Sequence, residues 1–460
     1  MKENRYRSYL LIVLLVTLAF NYQDRWALGL VLQDIKKEYS LSDAQLGLMT
    51  GIAFAALYSV MGIPLARWAD RGNRVTLMTL TISLWSLMVA ICGAATSFGQ
   101  LLLIRMGVAI GEAGCIPAAH SLIPDYFNRT ERPRAVAFFL SGIPLSLVVG
   151  NLVAGWLNEL YGWRVMFMML GLPGLGLAVL VRLTLKEPRD IQPARADITA
   201  HTRGYKLQPA PSVPRLREGC IELWANTTFR HMLFNFAINS FFNVGIQQWQ
   251  ATFLIRSYGL QTGEVGAWLT LIYGVGGAVG IYLGGYLATR YAGQNERLQL
   301  KTMALIYFCD VILFSFIYLS HNPYCAFGLM AATTIAGSAT GAPQFALIQS
   351  LVPERMRATS IALVYLCANL IGLGLGPLVA GVLSDAFRSW AGEESLRYAL
   401  LVLCTGYFWA GWHLWRGSKS VIADLAAVQA DNPSLLIASV PDVEGLSESS
   451  GLRIGKQLGG

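Results

Sequence analysis

Asp24 and Arg25 stand side by side inside the apolar stretch Tyr9–Leu32; Arg105 and Glu112 share a second such stretch, and Asp310 interrupts a third. A charged side chain at bilayer depth costs about 2.5–3.5 kcal/mol on insertion scales and is kept where it faces water, a partner or a substrate. Two acids and two arginines in such surroundings suit one kind of chemistry. A carboxyl moved between an apolar environment and the side of a guanidinium alternately takes up and gives up a proton. An arginine released from its acid offers a forked donor to an anion. Positions 105 and 112 lie about two helical turns apart, so one helix face carries both. Asp24 points to a different side of its helix from Arg25, which leaves Arg25 for an anionic substrate and Glu112 as the protonation switch. Asp310, near the middle of its helix, reads as structural or paired with a neighbour.

These residues need elements that cross a membrane. Of 460 residues 54% are hydrophobic and only 13% charged, against about 25% charged in soluble domains. Twelve apolar runs, from 8–33 to 396–416, are long enough to span a ~30 Å hydrocarbon layer as helices. With twelve crossings, 26 of the 35 lysines and arginines fall on the side of the termini, six on the other and three within the spans. That bias predicts a multi-pass protein of a cell membrane, a bacterial inner membrane on this reading, with both termini cytoplasmic. The net charge of +8 therefore records topology, and no nucleic-acid partner is expected. Seven scattered cysteines have no metal-ligand spacing, so neither a metal nor any other cofactor is expected. The basic start resembles a signal peptide, but the apolar run continues to Leu32 without a small-x-small cleavage pattern, which favours an uncleaved first helix.

The chain repeats itself. A shift of 219 residues lays Tyr39–Gly47 (YSLSDAQLG) over Tyr258–Gly266 (YGLQTGEVG) and Ala66–Arg71 over Gly285–Arg290; a shift of 229 lays Ser121–Asp125 (SLIPD) over Ser350–Glu354 (SLVPE). Three ordered matches at loops of like topology predict two halves built on one plan. The expected division is an N-terminal six-helix bundle (1–186), a proline- and charge-rich cytoplasmic linker (187–229) with an interfacial helix near Arg215–Trp224, a C-terminal six-helix bundle (230–416) and a flexible tail (417–460).

Pro64–Arg74 (PLARWADRGNR) resembles the G-x-x-A-D-R-x-x-R loop between helices 2 and 3 of the major facilitator superfamily, with Ala66 in place of the glycine. Asp70, Arg71 and Arg74 are then expected to form a gating loop that latches the halves on the cytoplasmic side. In the second half Thr289 replaces the acid, so any such latch is asymmetric. Arg105–Ala113 (RMGVAIGEA) resembles the superfamily's R-x-x-x-G-x-G-x-A motif. Together with Asn21-Tyr22-Gln23-Asp24-Arg25 and the A-D-R loop, it narrows the resemblance to the spinster family, whose members are associated with lysolipids and sphingoid lipids, many coupled to protons. The likeness covers most of residues 8–416 and implies an all-α membrane protein with twelve transmembrane helices in two pseudo-symmetric six-helix bundles. It also implies Asp24, Arg25, Arg105 and Glu112 as substrate and proton-coupling residues.

Under the same shifts Asp24 meets Asn243, Arg25 meets Val244, Arg105 meets Thr334 and Glu112 meets Gly341. Charge is thus confined to the first half, while Asn235, Asn239, Asn243 and Gln247 run at steps of four along helix 7. Asn239, Asn243 and Gln247 are expected to line a wet cavity, with Phe241, Phe242, Trp249 and Tyr273 supplying an apolar wall. The expected function is secondary active transport by alternating access, proton-coupled, of an amphipathic substrate (lysolipid-like or lipophilic and anionic), with protons and membrane lipids as the other partners. An organic-anion symporter or drug-efflux carrier is the alternative. A non-transporting sensor or a lipid enzyme is the reading from a different class. The chain lacks a phosphate-binding G-K-S/T loop, any nucleophile–base pair at a plausible depth and a long output domain, which argues against an ATP-driven pump, an enzyme and a sensor.

Overall fold

The computed structural model describes residues 2–128, 131–191, 216–293, 295–353 and 356–430, and among them no strand occurs. The apolar runs form helices because in lipid every backbone donor and acceptor must be satisfied within its own segment. Eight helical stretches are long and apolar enough to cross a membrane. Two of these, Arg134–Thr184 and Thr359–Val428, hold two crossings each, turning at Gly162 and Gly392, whose φ angles of 79° and 58° only glycine adopts without strain. Lys2–Tyr39 and Thr227–Tyr258 complete the twelve.

In chain order the first bundle comprises α1 (Lys2–Tyr39), α2 (Asp43–Arg71), α3 (Arg74–Cys92), α4 (Phe98–Tyr126), α5 (132–161) and α6 (163–184); the second comprises α7 (Thr227–Tyr258), α8 (Thr262–Ala292), α9 (Glu296–Leu319), α10 (Pro323–Ser350), α11 (357–391) and α12 (395–430). α12 continues to Ala430, so the first fourteen residues of the expected flexible tail are helical. They are docked on the start of α7: Asp424 accepts from the Thr228 backbone N–H at 2.7 Å, and Ser420 bonds the Thr228 hydroxyl at 2.7 Å. Ahead of α7 a short helix, Leu216–Ala225, exposes Ile221 and Trp224 while burying Leu223, the pattern of a helix lying at an interface. Residues 192–215 and 431–460 of the expected linker and tail lie outside the described residues.

Small residues set how closely the helices approach. In α4 a Cβ on Gly107 would stand 2.9 Å from the Met88 sulfur, and one on Gly111 2.6 Å from the Trp85 backbone nitrogen. Gly111, at the second glycine place of the R-x-x-x-G-x-G pattern, and Gly107, outside it, thus let α4 lie directly on α3, while Ala109 stands at the pattern's first glycine place. Four helices at the seam between the halves break their regular winding. α2 breaks at Gly51, α5 turns π-helical over Val148–Val153, α8 over Thr270–Gly276 and α11 over Ala368–Leu373. Gly51 and Thr270 are related by the 219-residue shift, whereas the π-helical segment of α11 lies about nine residues nearer the start of its helix than the 229-residue shift of α5's segment would place it.

Candidate functional site

Asp24 and Arg25 sit halfway along α1, and Arg105 and Glu112 lie on the face of α4 turned toward it. Arg25 donates through Nη2 and Nε to Glu112 Oε2 at 2.5 and 2.9 Å. Arg105 donates through Nη1 to Asp24 Oδ2. The four charges therefore form two crossed ion pairs between the same two helices. Asp24, Arg105 and Glu112 are buried, while the Arg25 side chain keeps 17% of its surface exposed. Arg25 lies against three rings, with its guanidinium carbon 4.6 Å from the centre of Tyr22, 4.8 Å from Phe54 and 5.1 Å from Tyr58, an arrangement that favours a cation in weakly hydrated surroundings. Asn21 ties α1 to the end of this face by donating to the Glu112 carbonyl at 3.3 Å.

The quartet is under-satisfied. Asp24 Oδ1, Glu112 Oε1, Arg105 Nε and Asn21 Oδ1 are all buried without a hydrogen-bond partner. Buried polar atoms are normally paired, so four orphans in one cluster set the quartet apart from the packed core around it.

Arg25 opens onto a chamber of about 210 Å³ between the halves, bounded by Tyr22, Trp26 and Asn151 on one side and by Gln247, Gln248, Tyr273 and Asn369 on the other. Gln247 and Tyr273 also line a second chamber of about 260 Å³ within the second bundle, together with Asn239, Asn243 and Asp310. The polar stripe of α7 divides in its use. Asn235 bonds the Ala410 carbonyl of α12 at 3.0 Å and serves packing, while Asn239, Asn243 and Gln247 face this chamber. Of the four aromatics expected to form an apolar wall, Tyr273 lines both chambers. Trp249 is fully buried, donating to the Pro377 carbonyl at 2.9 Å. Phe241 and Phe242 pack edge-on against each other, and Phe242 abuts Gly406. They are helix–helix packing.

The loop after α2 differs from expectation. Asp70 and Arg71 are exposed, and Arg74 turns back into its own half instead of reaching across. Arg74 is fully buried, ion-paired with Glu187 and with Asp125 at 2.6 Å, and donates to the Ser121 carbonyl at 2.6 Å. It clamps the start of α3 to the end of α4 and to the chain leaving α6. Arg189 adds hydrogen bonds to the Ala69 and Gly72 carbonyls at 3.0 and 3.1 Å, closing the end of α2. Burial alone would push the Glu187 carboxyl up, but the hydrogen bonds from Arg74 and the Arg189 backbone outweigh it and hold it below the usual carboxylate range.

The halves meet at the opposite face, and the sequence reading assigned none of these residues a role beyond topology. Asp43 of α2 receives Arg256 of α7 at 2.6 and 2.8 Å, Lys36 of α1 at 2.6 Å and the Ser384 hydroxyl of α11 at 2.7 Å. Asp385 of α11 accepts from the Asp43 and Ala44 backbone N–H groups at 2.9 and 2.7 Å. In the symmetry-related place Glu159 of α5 accepts from the Gly263 N–H at the start of α8 at 3.0 Å, and Thr262 bonds Asn158 and the Gly155 carbonyl at 3.2 and 3.1 Å. Each bundle thus offers the N-terminus of one helix to an acid of the other, which favours the contact electrostatically. Asp43 and Thr262 superpose under the repeat; that correspondence was the available signal. Between described residues, every hydrogen bond joining the halves lies in this far portion or at mid-depth, the deepest being Thr270 to the Leu147 carbonyl at 3.3 Å. None lies at the face carrying the termini.

This layout, two six-helix bundles closed at one face over a charged central quartet, has close counterparts. The family model described as Major Facilitator Superfamily matches residues 14–377. The chain belongs to that superfamily. Within it, the chain is 32% identical over 394 residues to an MFS-type efflux pump of Mycolicibacterium smegmatis, covering 85% of this chain and 87% of that one. It is 25% identical over 431 residues to the hexuronate transporter of Bacillus subtilis, covering 92% and 97%. Among solved structures, a bacterial homolog of the human lysosomal transporter Spinster, crystallised inward-facing and unoccupied, superposes with a TM-score of 0.78 at 29% identity over 91% of this chain and 98% of that one. The protein is thus a spinster-like member of the superfamily. No group of three or more His, Cys, Asp or Glu side chains able to hold a metal ion occurs among the described residues.

Proposed function

We propose that the protein is a proton-coupled carrier of an amphipathic organic anion that works by alternating access, with both termini cytoplasmic and the described conformation open toward the cytoplasm. The observation that carries this reading is the Arg25–Glu112 pair at the rim of the chamber between the halves, with the acid fully buried and the arginine partly open. Glu112 and Asp24 belong to the same cluster of crossed ion pairs, and each has one oxygen without a donor. A proton taken up by Glu112 turns one of its oxygens into a donor and cancels one of the two negative charges. Arg25 is then released to bind the acid group of the substrate, while Arg105 and the remaining carboxylate stay paired. Loss of the substrate restores the need for a counter-charge, and the proton leaves as Arg25 returns. Asn239, Asn243 and Gln247 solvate the polar part of the substrate, and the rings around Arg25 accompany its apolar part. Transport of this kind needs no cofactor.

A water-soluble organic anion is the second reading. It is favoured by the polar lining of the chamber in the second bundle and by the relative named for hexuronates. The test is uptake into proteoliposomes across an imposed pH gradient, with lysolipids, lipophilic acids and sugar acids in parallel. Glu112→Gln should abolish gradient-driven uptake of the accepted class, by at least tenfold, while leaving substrate exchange at equal pH. Gradient-driven uptake that survives in Glu112→Gln would remove the coupling role, and acceptance of sugar acids alone would select the second reading.

A further inference from the structure

The chamber inside the second bundle contains a buried acid that the quartet does not pair. Asp310 on α9 is 3% exposed and lines that chamber. Its Oδ1 is buried without a hydrogen-bond partner. No lysine, arginine or histidine lines the chamber, and Asp310 is its one carboxyl among otherwise neutral walls. The quartet differs, since each of its acids faces an arginine.

Two of the amides lining the chamber are engaged with tyrosine hydroxyls rather than with Asp310. Gln344 donates to the Tyr307 hydroxyl at 3.3 Å, and Asn243 donates to the Tyr407 hydroxyl at 3.2 Å. Rings form one wall of the chamber: Tyr407 stacks on Phe314 with centroids 5.0 Å apart and planes inclined by 2°, and on Tyr307 at 6.2 Å. A buried carboxyl lacking positive charge, set among ring faces whose quadrupoles also attract cations, is complementary to a cation. The chamber volume of about 260 Å³ is far larger than a single dehydrated metal ion, whose share of space is on the order of that of one water molecule, ~30 Å³. It fits an organic group.

We infer that the chamber around Asp310 is a binding site for an organic ammonium group, with Asp310 as its counter-ion and Tyr307, Tyr407 and Phe314 as its aromatic walls. The site is separate from Arg25 and does not depend on the anion reading. It adjoins the chamber of Arg25 through Gln247 and Tyr273, so a ligand with a cationic end has a place on the far side of the cavity from the quartet.

The test is equilibrium dialysis of the purified full-length protein in detergent at neutral pH, using radiolabelled 2-phenylethylammonium and its neutral analogue 2-phenylethanol. The ammonium should bind to the wild type at least tenfold more tightly than the alcohol, and Asp310→Asn should remove that preference while Glu112→Gln retains it. Equal binding of the two probes to the wild type, or no binding of either, overturns the inference, and this arm needs no variant to fold. Preference lost in Glu112→Gln and kept in Asp310→Asn would place the cation at the quartet and equally overturn it.

Discussion

Asp24, Arg25, Arg105 and Glu112 were conspicuous in the sequence because charge in an apolar run is costly and rare. Their pairing was not. Seven-residue spacing puts Arg105 and Glu112 on one face, yet each bonds a residue of α1 instead of its helical neighbour, since the offset between two helices is set by packing that no single-helix pattern records. Asp310 was visible for the same reason as the quartet, but the chamber around it is lined by four other helices. Arg25 engages Glu112 through two nitrogens, a geometry that a lysine cannot reproduce. Arg25→Lys should therefore fold and insert normally but bind an anionic substrate at least tenfold more weakly, as read by substrate-dependent quenching of tryptophan fluorescence. Glu187 belongs to a different group of residues. Its carboxyl is held below the usual range in the folded protein, so its contribution to stability is present above about pH 4.3 and is lost as pH falls through the lower folded value. Glu187→Gln should lower stability toward the low end of the ~3–5 kcal/mol expected for breaking a buried pair, because Asp125 still faces Arg74. The thermal midpoint in detergent, followed from pH 7 to pH 3, should fall less steeply in the variant than in the wild type.

At the scale of elements, the twelve helices and the internal repeat were legible from hydropathy and from three short matches. The breaks in α2, α5, α8 and α11 were not, since π-helical turns carry no composition of their own. Their occurrence in all four seam helices, at matching places in α2 and α8, puts them where helices must bend if the halves are to rock. Above these breaks the contact is tight. A Cβ on Gly47 of α2 would stand 2.5 Å from the Pro377 carbonyl of α11, and one on Gly51 2.6 Å from the Gly374 carbonyl. Gly47→Val should force α2 and α11 apart at the far face. Double electron–electron resonance between spin labels at Gln45 and Ser389, both exposed, in a background free of native cysteines, should show a longer-distance population that is minor in the parent. An unchanged distance distribution would mean that α2 accommodates the side chain without opening.

For the whole molecule, closure at one face rests on a few polar contacts gathered around Asp43, with a symmetry-related set around Thr262. The sequence exposed the repeat that contains both residues but not their role, because the partners Arg256, Ser384 and Asp385 lie more than two hundred residues away from Asp43. Asp43 joins three helices to α2 through Lys36, Arg256 and Ser384, so Asp43→Asn should weaken several contacts at once and shift the population toward the state open at that face. Accessibility of a cysteine placed at Gly29, which packs against Gln248 of the other half, to a membrane-impermeant maleimide applied from outside intact cells should rise severalfold. On the proposed mechanism, the confinement of the charged quartet to the first bundle assigns ion coupling to one half and ligand solvation to the other.

The Arg74 clamp also bears on how the chain is made. Arg74 begins α3, but the acid that completes its burial is Glu187, 113 residues later in synthesis. Until that acid emerges, a guanidinium destined for full enclosure has only Asp125 and the Ser121 carbonyl beside it, and the first bundle lacks the tie from its third and fourth crossings to the chain leaving the sixth. A nascent chain halted at Thr184 should therefore be digested readily by protease at the α2–α3 turn, whereas one extended past Arg189 should resist. The first bundle would then be locked on the ribosome just as the linker follows, before any helix of the second bundle is available to pair with it wrongly.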